Sequence, residues 1–582
     1  MNRKARRAAR SETVRRTPQR APAAGPNLVD LAPALAYHSL GLMLASEGRH
    51  EDALDSFIRC IELEPQYWEA HHGLCRSLMA LGQFGSAAAH CQQLAALNPG
   101  DALTLNNLAL ARLGAGDAGG ALDAVCRALA VDDLTESRSI LVLCAQAGAG
   151  FPDTPAMRAL MARAMREPWG RPADLSLPCA RLVMADPAMA AVVAAIDAAW
   201  PQPPAELLAS PGFAAAARDP LLRCLLENAP IADHALERAL TAIRAAMLER
   251  AVAVAPHDGM DADTLAFFCA LSRQCFINEY VFDLQPREIR LLDNLRDRTI
   301  AALHAGAALC PLRLAALAAY APLHDLGLDA ALLARAWPQP VADLLTQQVR
   351  EPAQEARLRG AIPRLTSVAD GVSVAVRRQY EENPYPRWAK AAPSGKTMAL
   401  NARLQAQFPL AGFRPLDLSH SVAVLVAGCG TGQQLVDVAQ RIAQARVLAV
   451  DLSLASLAYA KRKTDELGLA NIEYGQADIL KLGALGRRFD MVDCGGVLHH
   501  LGDPEAGWRV LVSLLKPGGV MRIALYSEVA RRHVVAARAF VAERGYLADA
   551  DGLRKFRRDV RALPDDDVVK LVARSPDFFT LS

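Results

Sequence analysis

The sequence predicts three architectures in series: an α-solenoid of helical hairpins, an all-α middle region, and a C-terminal α/β domain with a parallel, doubly wound sheet. Three observations predict them. Gly48, Gly82 and Gly116 recur at a spacing of 34, in step with Ala53, Ala87 and Ala121 and with Leu40, Leu74 and Leu108; a period of that length marks stacked supersecondary units. From Phe151 to Leu365 the repeat is lost, and proline-punctuated amphipathic runs such as "HALERALTAIRAAMLERAVA" continue the helical pattern. After Leu400 short apolar runs alternate with helices, as in successive βαβ units. The expected division is a basic leader over 1–26, repeats over 27–150, the all-α region over 151–365, a linker or lid over 366–400 and the α/β domain over 401–582.

Composition agrees. A chain of 582 residues exceeds one core, and 52% apolar with only 5% aromatic residues favours helices over β-sandwiches. The formal net charge is +2, so there is no strong nucleic-acid signal of the kind a basic excess gives. No apolar run of about twenty residues is present, so no membrane span is expected. The first 26 residues carry eight basic residues and one acidic residue, with no apolar core for a secretory signal, and read as a solvated, disordered leader. The twelve cysteines are scattered and form no C-x-x-C pair, so no metal site is expected. They read as reduced, buried thiols, and the expected compartment is cytoplasmic.

Each repeat reads as two amphipathic helices. In the first unit Tyr37, Leu40, Gly41 and Leu44 share a face, Gly48 breaks the chain, Ala53, Phe57 and Cys60 face inward, and Pro65 stops the second helix. The small alanines allow close helix approach. This pattern resembles the tetratricopeptide repeat over Ala34 to Thr135, with a fourth unit beginning near Glu136. The resemblance implies a concave surface, so a protein partner or substrate is expected on the repeats, with bracing of the next domain as the alternative.

In the middle region "LAFFCALSRQCFINEYVF" (Leu265 to Phe282) reads as a core helix followed by a polar turn at Asn278 and Glu279. Next comes "RRQYEENPYPRW". Pro384 and Pro386 force extended or turn backbone at Asn383 and Tyr385. Tyr380, Asn383, Tyr385 and Trp388 are the candidates for a lid over a pocket; an ordered connector packed on the following domain is the other reading.

In the α/β region "SVAVLVAG" is a buried strand and "QQLVDVAQRIAQA" a helix. "RVLAVDLS" is a strand ending in Asp451, and "IEYGQADI" a short strand ending in Asp478. "FDMVDCGGVLHHL" is a strand running into a loop, "EAGWRVLVSLLKPGG" a helix and turn, and "VMRIALYS" a fifth strand. Ligands of such sheets bind at the carboxyl ends of the strands. There Gly428, Gly430 and Gly432 allow a tight turn and close backbone approach. A dinucleotide fingerprint needs a final glycine where Gln433 stands, which disfavours a nicotinamide oxidoreductase. Asp451, 19 residues beyond Gly432, can accept both hydroxyls of a ribose, and Asp478 can accept from an adenine amine.

Together "VAGCGTG", the acid of "AVDLS", "QADI", "FDMVDCGGVLHHL" and "LLKPGG" resemble a class I S-adenosylmethionine-dependent methyltransferase of Rossmann-like fold, over about Ser421 to Ser527. The whole arrangement resembles a bacterial group of repeat-fused methyltransferases. The resemblance implies S-adenosyl-L-methionine as cofactor. It implies that Gly428, Cys429, Gly430, Thr431 and Gly432 cup the methionine part. Asp451 and Leu452 then lie at the ribose, Asp478 and Ile479 at adenine, and Cys494 and Gly495 close the cofactor side.

Methyl transfer from a sulfonium is an in-line displacement, which needs alignment and exclusion of water more than acid–base help. His499 and His500 follow the fourth strand and are the candidate bases; ordering of that loop is the alternative role. Tyr526, Glu528 and Arg531 are read as structural, with lining of the acceptor side as the other reading. Protein and small-molecule acceptors both stay open, and so does a scaffold that binds the cofactor without turnover. One departure stands out. The family's sheet ends in an antiparallel pair, whereas the residues after "VMRIALYS" read as helices, so the sheet is expected to be short or truncated after its fifth strand.

Overall fold

The computed structural model describes residues 28–255, 259–393, 395–408, 414–418 and 421–581. The predicted basic leader, residues 1–26, lies outside them. The chain forms two compact units, Met1–Pro152 and Asp153–Ser582.

The first unit is built from three helical hairpins and a further helix. The pairs are Leu28–Ser46 with His50–Leu63, Trp68–Ala80 with Phe84–Leu97, and Ala102–Gly114 with Ala118–Val131; Thr135–Gln146 follows. The repeated glycines end the first helix of each pair in the left-handed region, with φ of 76°, 71° and 82° at Gly48, Gly82 and Gly116. The repeated alanines at 53, 87 and 121 are fully buried at the helix contacts. Phe57 explains two more small residues: a Cβ on Gly41 or Gly73 would lie 2.7 or 2.5 Å from its ring. The first helix departs from expectation. Ala34, Gly41 and Leu44 are its buried face, whereas Tyr37 and Leu40 are each 39% exposed. In the later repeats the equivalents of Leu40, Leu74 and Leu108, are buried.

In the second unit the punctuating prolines open helices. Thr154, Asp186, Ser210 and Asp219 each cap a helix whose first residue is proline, where the missing N–H costs nothing. The aromatic stretch forms the helix Ala262–Ile277. The turn after it is buried rather than solvated: Glu279 is 6% exposed and faces Arg387 at 3.6 Å.

Five parallel strands, β1 (Val422–Ala427), β2 (Ala445–Asp451), β3 (Ile472–Gln476), β4 (Phe489–Gly495) and β5 (Leu515–Ala524), form one sheet in the order β3-β2-β1-β4-β5. β1 is central and buries both faces. Val422, Val424 and Val426 join one core with Leu435 and Val447, while Leu425 and Ala427 join the other with Leu448 and Val492. Two boundaries differ from the sequence reading. β3 stops at Gln476, and Asp478 instead caps the short helix Ile479–Leu485 by accepting from Leu480 N at 3.0 Å. β5 begins at Leu515, inside the predicted turn. Its register against β4 jumps from Phe489↔Leu515 to Met491↔Val520, which leaves Pro517 and the left-handed Gly518 in a bulge.

Among the described residues no strand follows Ala524. The helices Arg532–Arg544 and Ala550–Ala562 and the turns after them pack against the middle helices instead. Arg557 and Glu237, both buried, form an ion pair at 2.6 Å, and the His234 ring packs at a tilt against Phe579 with centroids 4.7 Å apart. After Ala524 the described chain thus leaves the five-stranded sheet for another core. The outer edge of β3 is also covered: Gln476 N donates to Pro363 O and Leu365 N to Gln476 O, at 2.9 and 2.8 Å. Buried Arg462 ties the helical stretch to the α/β core through Glu351 and Glu355, at 3.0 and 2.8 Å. No single described helix is long and apolar enough to cross a membrane.

Candidate functional site

The carboxyl ends of β1, β2 and β4 open into a cavity of about 590 Å³, within the usual range for small-molecule sites. Gly428, Cys429, Gly430 and Thr431 of the glycine turn line it, whereas Gly432, also predicted at the cofactor, does not and packs against Ala460 instead. Gly428 has φ of 76°, and a Cβ there would lie 2.5 Å from Val497; Gly432 has φ of 87°, and a Cβ would lie 2.8 Å from Ala460. Only glycine satisfies both the backbone and the space. The amides of Gly428 and Cys429 both donate to Val450 O, at 2.8 and 3.0 Å, which holds the turn against β2.

Asp451 ends β2 beside this turn. Its Oδ2 accepts from Gly430 N at 2.8 Å and its Oδ1 from Ser453 N at 2.9 Å. Burial pushes its carboxyl up, and the amides of Ser453, Gly430 and Leu452 oppose that shift. Each oxygen keeps a lone pair for a further donor. Asp478 is 2% exposed; Leu480 N occupies its Oδ1, whereas its Oδ2 is buried with no hydrogen-bond partner. A buried acceptor without a donor is costly unless a ligand supplies one. Thr366 Oγ1 accepts from Asp478 N at 2.8 Å and fixes the residue in place.

The "YEENPYPRW" segment forms a fixed wall. Tyr380 lies on the helix Gly371–Glu382, whose Glu381 accepts from Leu454 N and Ala455 N at 2.6 and 3.2 Å and so caps the helix Leu454–Glu466. Ser453 Oγ donates to Tyr380 O at 2.9 Å, and Thr431 Oγ1 to Pro386 O at 2.6 Å. The Trp388 indole donates to Thr431 O at 2.9 Å. Tyr380 and Tyr385 line the cavity; Asn383 and Trp388 do not. Asn383 ends the helix, and Trp388 packs on Val436 and Tyr459 behind the turn. The Tyr385 hydroxyl donates to Asp577, and burial with that bond pushes its pKa up.

The other predicted residues divide similarly. Cys429, Gly430, Thr431, Leu452, Ile479 and Gly495 line the cavity. Cys494 does not: it is fully buried in the core beside Leu425 and Val492. Strand alternation puts Asp493, not Cys494, on the same side as Gly495, and Asp493 does line the cavity. It accepts from Gln434 and pairs with Arg522 at 2.7 Å. Sequence reading missed Asp493, and the period of two in "MVDCG" was the signal for it. It also missed Gln434, Arg522 and Arg171, which no local motif marks.

His500 lines the cavity, with Nε2 3.5 Å from the Tyr380 hydroxyl oxygen. Burial lowers its pKa, and Arg538 and Arg531 lower it further. His499 does not line the cavity. It lies between His500 and Tyr526, with ring centroids 4.1 and 4.4 Å away, and burial with its cationic neighbours lowers its pKa to about 4. Tyr526 lines the cavity and carries Arg531 over its ring at 3.7 Å; Glu528 is exposed and outside it.

The glycine cradle, the carboxylate at the end of β2 and the orphaned Asp478 oxygen fit an adenosine-bearing cofactor. Residues 424–519 match the family described as a methyltransferase domain, and residues 44–104 match the tetratricopeptide repeat. The C-terminal part is thus a methyltransferase domain of the S-adenosylmethionine-dependent kind, and the N-terminal part consists of tetratricopeptide repeats.

Relatives include an uncharacterized protein of Synechococcus sp., 32% identical over 171 residues, covering 29% of this chain and 40% of that protein. The ubiquinone biosynthesis O-methyltransferase of Cereibacter sphaeroides is 35% identical over 118 residues, covering 20% of this chain and 43% of the relative. The trans-aconitate 2-methyltransferase of Deinococcus radiodurans is 37% identical over 100 residues, covering 17% and 36%. The chain thus spans less than half the length of each. Among solved structures, PKMT2 from Rickettsia typhi in complex with AdoHcy aligns at 23% identity and a TM-score of 0.25, covering 29% of this chain and 35% of that one.

Proposed function

We propose that the protein transfers a methyl group from S-adenosylmethionine to a protein acceptor that the repeats recruit. One observation carries this reading: Asp451 and the glycine turn meet through the Gly430 amide, in the same cavity as the unpartnered Asp478 oxygen. When bound, the cofactor supplies a methyl group already activated on a positive sulfur. Asp451 and Asp478 would hold its ribose and adenine, and the glycine turn would receive the rest against backbone.

The remaining chemistry belongs to positioning. Tyr380, Tyr385 and Pro386 wall the cavity and exclude water from it. His500 is neutral at pH 7, since its pKa is lowered, and so can accept a proton from an acceptor nucleophile. The repeats support a protein acceptor, because stacked hairpins offer an extended surface. Twelve free thiols, eleven of them buried, suit a reducing compartment, and we place the protein in the cytoplasm.

The test uses labelled S-adenosylmethionine and a cell extract separated into protein and low-mass fractions. The reading predicts Asp451-dependent label on the protein fraction. Label on the low-mass fraction alone would remove the protein acceptor, and label on neither would remove the activity.

A further inference from the structure

A second cavity, of about 270 Å³, lies where the middle helices meet the α/β domain. No residue lines both it and the cofactor cavity; the connector runs between them, with Tyr385 and Pro386 on the first and Trp388 and Lys390 on the second. Its volume falls just below the usual range for drug-sized ligands and suits a small metabolite.

Two guanidiniums line this cavity without making a hydrogen bond to any described residue. The Arg273 and Arg387 side chains are only 23% and 21% exposed. Each faces a carboxylate oxygen at 3.6 Å, Glu227 for Arg273 and Glu279 for Arg387, which is beyond hydrogen-bond length. The Nε of each is buried with no partner. The two share a face: Arg387 lies over the Phe276 ring, 4.8 Å from its centroid, and Arg273 stands three residues before Phe276 on the helix Ala262–Ile277. Lys390 joins them. Its Nζ donates to Met165 O and Arg166 O, at 3.0 and 2.6 Å, and keeps a third N–H. Burial lowers its pKa and the Arg273 charge lowers it further, while Cys224 and Glu227 oppose the shift.

The remaining charges on the wall are engaged. Arg462 lies between Glu351 and Glu355, at 3.0 and 2.8 Å. Lys463 donates to Ala389 O at 3.0 Å and pairs with Glu466 at 3.4 Å, and Asp343 accepts from Gln339 at 2.7 Å. One neutral group is left over. Gln347 Oε1 is buried with no partner, on the π-helical turn Thr346–Arg350; turns of this kind recur at functional sites. The cavity thus holds unused donors on three cations and one unused acceptor. Buried polar groups left unmatched are costly unless a ligand completes them.

We infer that this cavity is a second binding site, for a small metabolite that carries a phosphate or carboxylate together with a hydroxyl or amino donor. Arg273, Arg387 and Lys390 take the anionic group, since guanidinium forks match its oxygens, and Gln347 takes the donor. The site is separate from the cofactor cavity and does not depend on what that cavity binds.

Calorimetry of the full chain tests it with glycerol 3-phosphate and L-lactate, which both carry a hydroxyl but differ in the anion. Saturable binding of one or both is expected, and which of them binds assigns the phosphate or the carboxylate. Arg273→Gln and Arg387→Gln are each expected to weaken it by about tenfold or more, as loss of a charged hydrogen bond does, and Arg273→Lys to recover part of the loss. Gln347→Leu removes no charge and is expected to weaken the same probe about fivefold, so the test stands even if an arginine variant fails to melt as a folded protein. Binding should persist when S-adenosylhomocysteine is present in excess. Wild type binding neither probe would overturn the inference. So would equal affinities in wild type and the folded variants, or loss of the probe to S-adenosylhomocysteine, which would place it in the first cavity.

Discussion

The Asp451 carboxylate accepts the Gly430 amide at 2.8 Å, so the end of β2 and the turn after β1 are one hydrogen-bonded unit. The residue read as a ribose ligand therefore also shapes the cradle beside it. Binding and local structure are coupled at this point, and variants of the turn are expected to lose both together.

Gly428→Ala tests the turn. Left-handed backbone costs about 1–2 kcal/mol for a non-glycine residue, and overpacking costs about 1–3 kcal/mol more, here against Val497 at 2.5 Å. The variant is expected to melt lower and to lose S-adenosylhomocysteine binding. Adding Val497→Ala should return the steric part of the stability and leave the backbone part.

The two histidines are expected to separate by pH. Burial lowers the His500 pKa below its ordinary value, so the base form is present above the lowered pKa and is lost as pH falls through it. Methyl transfer should have an acid limb below the ordinary histidine range, and His500→Asn should remove it with a fall in rate. His499, outside the cavity and held down to about 4, should yield His499→Asn with the acid limb unchanged. An acid limb that moves with His499 instead would reverse the assignment.

Glu237 fastens the C-terminal helices to the middle region by accepting from buried Arg557 at 2.6 Å and from Arg561 at 2.7 Å. Glu237→Leu leaves Arg557 buried without its counterion, which costs about 3–5 kcal/mol. Thermal melts should fall accordingly, and limited proteolysis should cut first between Arg544 and Phe578. Glu237→Leu combined with Arg557→Met should recover much of the loss.

In the repeats, Gly73→Ala would put a methyl 2.5 Å from the Phe57 ring. The expected cost is about 1–3 kcal/mol, read from the melting of the full chain. Phe57→Leu in the same chain should relieve it.

Much of this fold was legible because short-range chemistry decides it. The 34-residue step announced Gly48, Gly82 and Gly116 as helix ends, and the structure turns all three left-handed. The glycine turn after β1 and Asp451 at the end of β2 stand where pattern and turn chemistry put them, whereas Asp478 lies beyond the end of β3 as a helix cap. The failures are of another kind. Tyr37 and Leu40 carry the repeat pattern, but exposure depends on neighbours that a pattern does not contain. Cys494 was chosen from a motif, although strand alternation turns it into the core. The helices after β5 were read as helices, but their partner, the Glu237 region, lies some three hundred residues away in sequence. Arg171 is invisible for the same reason, since nothing around it resembles a site.

The most direct measurement of the central claim is a calorimetric titration of the full chain with S-adenosylhomocysteine, wild type against Asp451→Ala. The account predicts saturable binding to one site per chain, weakened at least about tenfold by the substitution. Equal affinities in the two proteins, or no saturable binding by the wild type, would contradict it.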